Sequence, residues 1–291
     1  MSRVEHLLSV QNVAGESPIW VAAEESLYWV DCEGARAYRV GLGNAAWETF
    51  EADMPVTAIC PRAKGGWIAA TKKGLAFWDG RGGRFEPVVD PEQGHADHRC
   101  NDAAIDRMGR LWVGTMSQKD LLAPTGSLWR LDADLSIHKI DTGFAVPNGI
   151  AFSGDDRTMY VTDMFHGKIV AYDFNLADGT VGNKRDFSAV PQEAGLPDGL
   201  IADAESCLWS AHWGGWRVTR YRPDGTIDRV LKLPVANVTC MAFGGRQLDE
   251  LYITTASCFL TDEQRMQQPQ AGDLFRARPG VAGLAEPQFA G

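Results

Sequence analysis

The sequence predicts an all-β fold built from repeated small sheets, on three observations. Helical periodicity is almost absent, whereas short strand-like runs recur along the whole chain. Six of these runs carry an aromatic residue, and successive aromatics are 39, 45, 48, 49 and 43 residues apart. Each run is followed by a second strand-like segment, and several by a third. Six repeats of this size, each forming one sheet, predict a six-bladed β-propeller that residues 1–291 form as a single domain.

The elements of each repeat follow in chain order. The aromatic runs are LYWVD (27–31), GWIAAT (66–71), LWVGT (111–115), MYVTD (159–163), LWSAH (208–212) and LYITT (251–255). Their aromatics are Tyr28, Trp67, Trp112, Tyr160, Trp209 and Tyr252, and the segments that follow are RAYRV, GLAFWD, GSLWRLD, GKIVAYD, WRVTRYR and GDLFRAR. A single four-stranded sheet leaves both faces in water, so we expect the sheets to pack radially with the aromatics between blades.

The two ends of the chain are expected to close the ring. VEHLLSV (4–10) is predicted to form one further strand that completes the last blade beside the C-terminal LAEPQF (284–289), which protects the sheet edges. The polar segment TDEQRMQQPQ (261–270) forms either a short helix or an ordered loop over one end. GLGNAA (41–46) has the spacing of a dinucleotide-binding turn, but it does not open a helix, so it is interpreted as a hairpin turn.

Composition and charge narrow the classes of function. The net charge of −10 and the pI of about 5.1 argue against nucleic acid or an anionic membrane as the main partner, because both require a basic face. No signal peptide, membrane span or obligate protein partner is indicated. The 6 cysteines are scattered without a C-x-x-C pair, so we expect reduced thiols, mostly buried, in a cytoplasmic protein.

Polar residues recur at one position of each repeat, ten to thirteen residues before the aromatic. This position is expected near the start of the innermost strand of each blade, where equivalent residues form a ring around the central axis. The residues are Glu16, Thr57, Asn101, Asn148, Asp198 and Thr239. Four of them carry carboxylate or carboxamide oxygens, which suit a hard divalent cation. Three such ligands would leave positions open for water and substrate, as in catalytic metal sites. The alternative is that the Asn-Gly and Asp-Gly pairs are simply turns at strand starts.

Five motifs that together cover nearly the whole chain carry a resemblance to a known family. They are GESPIW (15–20), RCNDAAIDRMGRLWVGTM (99–116), VPNGIAFSGD (146–155), LPDGLIAD (196–203) and QQPQAGDLFR (267–276). With these motifs in this order, the chain resembles the SMP-30/gluconolactonase/regucalcin family of six-bladed propellers. The resemblance implies an enzyme that hydrolyses a sugar lactone to the aldonic acid with one divalent cation, for which Ca²⁺, Zn²⁺, Mn²⁺ and Mg²⁺ all remain candidates.

The resemblance also implies roles for individual residues, carried over motif by motif. Glu16, Asn148 and Asp198 are implied as the metal ligands, and Asp198 also as the catalytic acid/base residue. Arg99 and Asn101 are implied as the residues that bind the hydroxyls or the lactone oxygens of the substrate. Strand alternation points Arg99 to the same side as Asn101, because the two residues are two positions apart.

Lys119 departs from the pattern of this family. Some regucalcin-like members use a glutamate for substrate three residues after the GTM triplet, and this chain has Lys119 there, in GTMSQKD. One hypothesis is that Lys119 binds an anionic substituent of the lactone, such as a uronate-like or sulfonated group. The alternative is a solvated lysine in a variable loop.

The sequence leaves two other functions open and contains further polar residues of interest. A calcium-binding regulatory protein would use the same ligands without turnover, and an organophosphate-type hydrolase would use the same metal chemistry. A pure interaction scaffold leaves the convergent ring residues unexplained. His95 and His98 form H-x-x-H in a predicted loop, where a packing role is favoured over metal binding. His212 either faces the substrate from the channel or is a hydrogen-bonded structural residue.

Overall fold

A computed structural model describes residues 3–41, 46–82 and 84–291. Its strands are β1 (Val4–Leu8), β2 (Gly15–Val21), β3 (Ser26–Asp31), β4 (Arg36–Gly41), β5 (Trp47–Glu51), β6 (Val56–Pro61), β7 (Trp67–Thr71), β8 (Gly74–Trp78), β9 (Phe85–Val89), β10 (His98–Ile105), β11 (Leu111–Ser117), β12 (Gly126–Leu131), β13 (Ile137–Phe144), β14 (Pro147–Phe152), β15 (Thr158–Asp163), β16 (Lys168–Asn175), β17 (Thr180–Ala189), β18 (Leu196–Ala202), β19 (Leu208–Trp213), β20 (Arg217–Tyr221), β21 (Ile227–Lys232), β22 (Val238–Gly244), β23 (Glu250–Thr255) and β24 (Leu274–Ala277). Two short 3₁₀ turns span Ala22–Glu24 and Gln192–Ala194, and one helix, α1, spans Asp262–Gln267. None of the helices in the described part of the chain is long and apolar enough to cross a lipid bilayer.

The strands form six antiparallel sheets of four strands each. Blades I to V are the consecutive sets β2–β5, β6–β9, β10–β13, β14–β17 and β18–β21, and blade VI has the order β22-β23-β24-β1. The first strand of each blade contacts the first strands of both neighbouring blades, so these six strands line a central channel. The predicted six-bladed propeller is therefore confirmed. The assignment of all residues 1–291 to one domain stays a prediction.

The N-terminal strand closes the ring as expected, but beside a different segment. β1 pairs antiparallel with β24, with Val4 opposite Ala277, so LAEPQF is not its partner. Pro279, which has no N–H to donate, follows β24, and the chain leaves the sheet there. The last residues instead run across the blades, where the N–H of Phe289 donates to the Pro61 carbonyl (2.8 Å) and that of Ala290 to the Gly109 carbonyl (3.0 Å).

The strands define two faces of the molecule. The first strand of each blade begins, and the antiparallel second strand ends, on one side, which we call the upper face; the loops between second and third strands lie there. The opposite side, where first and second strands are joined and the C-terminal tail runs, is the lower face.

The segment 261–270 lies in an upper-face loop and includes helix α1, which begins with a capping box between Thr261 and Gln264. GLGNAA falls between β4 and β5, and its residues 42–45 lie outside the described ranges.

The aromatic repeat corresponds to the second strands, with one correction. In five blades the aromatic pairs with the first-strand residue three positions after the ring residue: Tyr28 with Ile19, Trp112 with Ala104, Tyr160 with Ala151, Trp209 with Ile201 and Tyr252 with Ala242. In blade II the equivalent position is Ile68, opposite Cys60, and Trp67 pairs with Pro61 one position away. The prediction that Trp67 occupies the shared aromatic position was therefore wrong by one residue.

Alternate residues of the second strands fill the spaces on either side of each blade. Tyr28 packs against Trp67 of blade II, with ring centroids 4.7 Å apart, while Trp29 faces the other way and stacks on Tyr38 at 5.0 Å. Trp29, Trp112 and Trp209 are completely buried. The 6 cysteines, all within the described ranges, are free, and four of them are buried, as expected of small core residues.

A buried aspartate anchors the turn that leads to Trp209. Asp203 accepts hydrogen bonds from the Trp209 indole and from Arg220 Nε, both at 2.8 Å, and from the backbone N–H groups of Glu205 and Cys207. Asp203 and Arg220 are 0% and 3% exposed, so the pair is shielded from water. A buried charge that loses its partner is costly, because it keeps its desolvation penalty without the compensating attraction.

We therefore expect Asp203→Ala to lower the free energy of unfolding by about 3–5 kcal/mol, since it removes the acceptor of the buried Trp209 indole and of two backbone N–H groups together with one partner of Arg220. Arg220 keeps its ion pairs with Glu205 and Asp228. Asp224→Ala is a matched control, because Asp224 also accepts hydrogen bonds in a turn, both from Thr226, but is exposed. Its expected loss is below about 1 kcal/mol. Urea unfolding of the two variants measures both values, and a loss for Asp203→Ala no larger than that of the control would contradict this account.

Candidate functional site

The six ring positions all lie on first strands and at the same register. Every first strand has an irregularity in its pairing with the second strand at or beside the ring residue: between Glu16 and Ile19, Val56 and Ala58, Cys100 and Ala103, Asn148 and Ile150, Pro197 and Leu200, and Val238 and Cys240. A bulge inserts an extra residue and re-aims its side chain. The repeated bulge therefore sets the polar residues of all six blades at one level of the channel, near its upper end.

Hydrogen bonds to other strands separate these residues into two groups. The hydroxyls of Thr57 and Thr239 are committed to backbone carbonyls, Thr57 to Ala70 at 3.2 Å and Thr239 to Gly15 at 2.6 Å. Their role is to hold strands together. The Nδ2 of Asn148 in blade IV donates to Oδ1 of Asp198 in blade V, which brings two predicted site residues into direct contact.

Glu16 and Asp198 form a pair of carboxylates enclosed by the inner strands. Asp198 is 1% exposed, and burial raises its pKa well above the ordinary range, with further increases from the charges of Glu16 and Asp102. Burial is also the main cause that raises the pKa of Glu16, and the charge of Asp102 adds to it. The backbone N–H of Ser17 and the Arg99 charge act in the opposite direction on Glu16. The site thus concentrates negative charge at the inner strands, where burial weakens screening by water.

Asp102 is a third carboxylate of this region that the sequence reasoning missed. Burial raises its pKa to about 6. Strict alternation would point Asp102 away from the side that Asn101 faces, but the bulge between Cys100 and Ala103 lets consecutive residues both reach the channel. The only sequence feature that pointed to Asp102 as a channel residue was its position directly after Asn101.

Arg99 and Asn101 lie together on β10, as strand alternation predicted. Arg99 Nη1 donates to Oδ1 of Asn101 at 3.0 Å and to the Cys100 carbonyl at 2.8 Å. Asn101 Nδ2 donates to the Pro147 carbonyl of blade IV at 3.2 Å, directly before Asn148. These bonds hold the guanidinium beside the ring, with its remaining N–H groups available to an oxygen-bearing ligand.

The donor set of the ring fits a hard divalent cation. The described residues contain no cluster of three or more His, Cys, Asp and Glu side chains that could hold a metal, so a site here depends on two carboxylates and a carboxamide. Glu16 and Asp198 carry like charges when both are ionised, and the Glu16 charge adds to the burial that raises the pKa of Asp198. A bound cation would remove that repulsion and keep both groups ionised. Asn148, in contact with Asp198, can supply a neutral oxygen ligand.

Lys119 lies above this ring on the upper face. It follows β11 by two residues, and its Nζ is 2.7 Å from Oδ2 of Asp97 in an ion pair whose side chains are 74% and 51% exposed. Lys119 is thus on the same side of the molecule as Arg99, because His98 pairs with Ser117 at the adjoining ends of β10 and β11.

The histidines differ in their surroundings. His98 is hydrogen-bonded to Thr125 at 3.0 Å and packs edge-on against His95, but it is the first residue of β10 and does not lie in the predicted loop. His212 is 1% exposed, and its Nδ1 contacts the Ala194 carbonyl at 2.9 Å. Burial lowers the pKa of His212 to about 4, so this side chain is neutral at pH 7. Its Nε2 has no hydrogen-bond partner among the described residues.

Comparison with known proteins gives relatives over nearly the whole chain. A putative sugar lactone lactonase of Bacillus subtilis (strain 168) is 35% identical over 280 residues, which are 96% of each chain. A 6-deoxy-6-sulfogluconolactonase of Pseudomonas putida is 34% identical over 284 residues, also 96% of each. Among solved structures, a calcium-binding protein, regucalcin, from Agrobacterium tumefaciens superposes with a TM-score of 0.93 at 25% identity, covering 99% of this chain and 97% of that one.

The sequence profile of the SMP-30/gluconolactonase/LRE-like region matches residues 14–257. This range begins just before β2 and ends just after β23, so it contains all four carboxylate and carboxamide positions of the ring. The resemblance inferred from five motifs is thus confirmed by an independent match across most of the propeller. The chain belongs to the SMP-30/gluconolactonase/LRE-like family.

Proposed function

We propose that this protein hydrolyses a sugar lactone to the corresponding aldonic acid at the ring of first strands. The observation that carries the proposal is the carboxylate pair of Glu16 and Asp198, enclosed in the channel beside Arg99 and Asn101. Relatives that are named as lactonases support the same reaction class. A lactone is a cyclic ester, so its hydrolysis needs a base for the attacking water and an acid for the leaving oxygen.

Glu16, Asn148 and Asp198 would hold one divalent cation in this proposal. Their oxygen-only set suits Ca²⁺, Mg²⁺ or Mn²⁺, and Zn²⁺ also accepts carboxylate ligands. When bound, such a cation supplies a Lewis acid that polarises an ester carbonyl. Asn148 contributes in addition by holding the Asp198 carboxylate in a fixed orientation through its amide.

Asp198 is the residue best placed to move the proton. Its carboxylate accepts a proton from water as the water oxygen bonds to the lactone carbonyl carbon. The bond from that carbon to the ring oxygen then breaks, and Asp198 returns the proton to the ring oxygen, which gives an open-chain hydroxy acid. The buried position of Asp198 suits this exchange, because the side chain is 1% exposed and the transferred proton is kept from bulk water.

Arg99 and Asn101 would position the substrate. A guanidinium offers several N–H donors in a rigid plane and stays charged at all relevant pH values, so it suits hydroxyl or lactone oxygens. The hydrogen bond between the two side chains fixes their spacing before substrate arrives.

A panel of lactones, assayed with protein stripped of metal and with each divalent cation added back, tests the proposal. Turnover of at least one aldonolactone that depends on an added cation is expected. Absence of turnover on the whole panel with every cation would contradict lactone hydrolysis. Binding of calcium without turnover would instead support a regulatory protein, an alternative favoured by the structural similarity to a calcium-binding regucalcin. Turnover of organophosphates in place of lactones would assign the site to the other hydrolase class.

We further propose that the substrate carries an anionic substituent that Lys119 attracts. A relative named for a sulfo-substituted gluconolactone supports this class of substrate. Because Lys119 is exposed and paired with Asp97, we expect Lys119→Ala to lower kcat/KM for an anionic lactone by only about 3- to 5-fold. The neutral counterpart is expected to change less than about 2-fold. Lys64→Ala, at an exposed turn of the lower face, is the control, and an equal effect of Lys119→Ala on both lactones would exclude the role.

A further inference from the structure

An apolar cluster, here called the mouth cluster, borders the ring at the upper face. It consists of Met116, Val146 and Met164, which are buried, with Phe165, Leu196 and Trp213 packed against them. These residues come from the upper ends of blades III, IV and V. Lys119 and Asp97 form an exposed ion pair on the same face, so the face combines charged and hydrocarbon surfaces.

The mouth cluster is in contact with the candidate site. Met164 Sδ lies 3.7 Å from Nδ2 of Asn148, the amide that also holds Asp198. Met116 pairs with Arg99 across β10 and β11. The three buried members of the cluster offer little surface, so a lactone held at the ring residues would have the partly exposed Phe165, Leu196 and Trp213 beside it.

The apolar surface continues outward from Trp213. Its ring packs edge-on against Phe259 of blade VI, with centroids 6.2 Å apart. Phe259 is 86% exposed, more than any other large apolar residue that the structure describes, and its φ of 60° is a left-handed conformation that is costly for an aromatic residue. Such a ring held in water and joined to a site wall offers binding surface to a ligand.

We propose that the mouth cluster and Phe259 bind a hydrocarbon substituent of the substrate, so that the same site hydrolyses lactones that carry an alkyl chain. This inference rests on the proposed lactone hydrolysis and extends its substrate class. The reaction is unchanged: water adds to the carbonyl carbon, the bond to the ring oxygen breaks, and a hydroxy acid with the same alkyl chain is released. A hydrocarbon is the fitting ligand because the partly exposed side chains of the cluster, except for the Trp213 indole N–H, present only carbon.

A series of δ-lactones with unbranched alkyl chains of increasing length tests the inference. In the wild-type protein kcat/KM is expected to rise about threefold per added methylene over the first few members, close to the effect of burying one CH₂. Phe259→Ala removes an exposed side chain, so the protein is expected to fold normally. It should reduce the rise per methylene by about half and leave the unsubstituted lactone unchanged. Met108→Ala, which removes a 55% exposed side chain on the lower face, is the matched control.

The outcomes separate this inference from the proposed function. Turnover that does not rise with chain length, or a rise that Phe259→Ala leaves as intact as Met108→Ala does, would overturn the apolar subsite while lactone hydrolysis stands. If no lactone is turned over, the hydrolysis itself fails, and calorimetric titration with the matching hydroxy acids decides the subsite. Affinity that grows with chain length and weakens in Phe259→Ala supports it, and affinity independent of chain length overturns it.

Discussion

Replacing Asp198 by Asn is expected to lower kcat/KM for the lactone substrate by about 10³-fold or more. An amide cannot accept the proton of the attacking water or return it to the ring oxygen, and general acid–base catalysis alone contributes about 10²- to 10⁴-fold. The loss should appear in kcat, because Arg99 and Asn101 remain to bind substrate. Steady-state kinetics on the best lactone of the panel, with saturating cation, measures the effect.

Asn is the informative replacement because it preserves the local structure. It keeps an oxygen to accept from Asn148 Nδ2, and the hydrogen bond from the Thr162 hydroxyl goes to the backbone carbonyl of Asp198, at 2.8 Å. Asp186→Asn, in an exposed ion pair with Lys168, is the control and should retain full activity. A folded Asp198→Asn protein that keeps more than about a tenth of wild-type turnover would show that another group moves the proton.

The repeat and the ring could be predicted because both are defined by the number of residues between recurring side chains. Strands of one blade must pair in register, so the distance from each ring residue to its aromatic varies only with loop length. That constraint placed Glu16, Asn101, Asn148 and Asp198 at one level of the channel from sequence alone, as the pairing of their strands shows. The same spacing misplaced Trp67, because the neighbouring Ile68 occupies the aromatic position in blade II.

The features that could not be predicted depend on local irregularity or on distant contacts. A bulge interrupts the alternation of a strand at a point that the sequence does not mark, so the exposure of Asp102 to the channel could not be predicted from alternation. The mouth cluster is assembled from the ends of three blades, and no segment of sequence shows that Met164 touches Asn148. The C-terminal tail pairs with Pro61 and Gly109, more than 170 residues away, in contacts that local pattern does not encode.

Removal of divalent cations is expected to lower both activity and thermal stability, and Glu16 should link the two effects. Without a cation, the folded protein keeps Glu16 and Asp198 enclosed together, and their raised pKa values mean that the ionised pair destabilises it. A cation that binds only the folded protein stabilises it by about 2.7 kcal/mol at a concentration of one hundred times Kd. For a protein of this size we expect Tm to rise by about 5–10 °C when the cation is restored after chelation.

Glu16→Gln distinguishes this linkage from a general effect of salts. The variant removes one charge of the pair, so its cation-free form should be at least as stable as the cation-free wild type, while its gain in Tm on adding the cation should fall to below about 2 °C. Catalytic activity should fall together with the gain in Tm, because the cation loses one of the two carboxylates that hold it. Glu33→Gln, on the upper-face loop after β3, is a matched control with a nearby carboxylate that is not part of the ring. Scanning calorimetry with and without each cation measures the shifts. An equal gain in Tm for wild type and Glu16→Gln would place the cation elsewhere, since a site built on Glu16 cannot keep its affinity when that carboxylate becomes an amide.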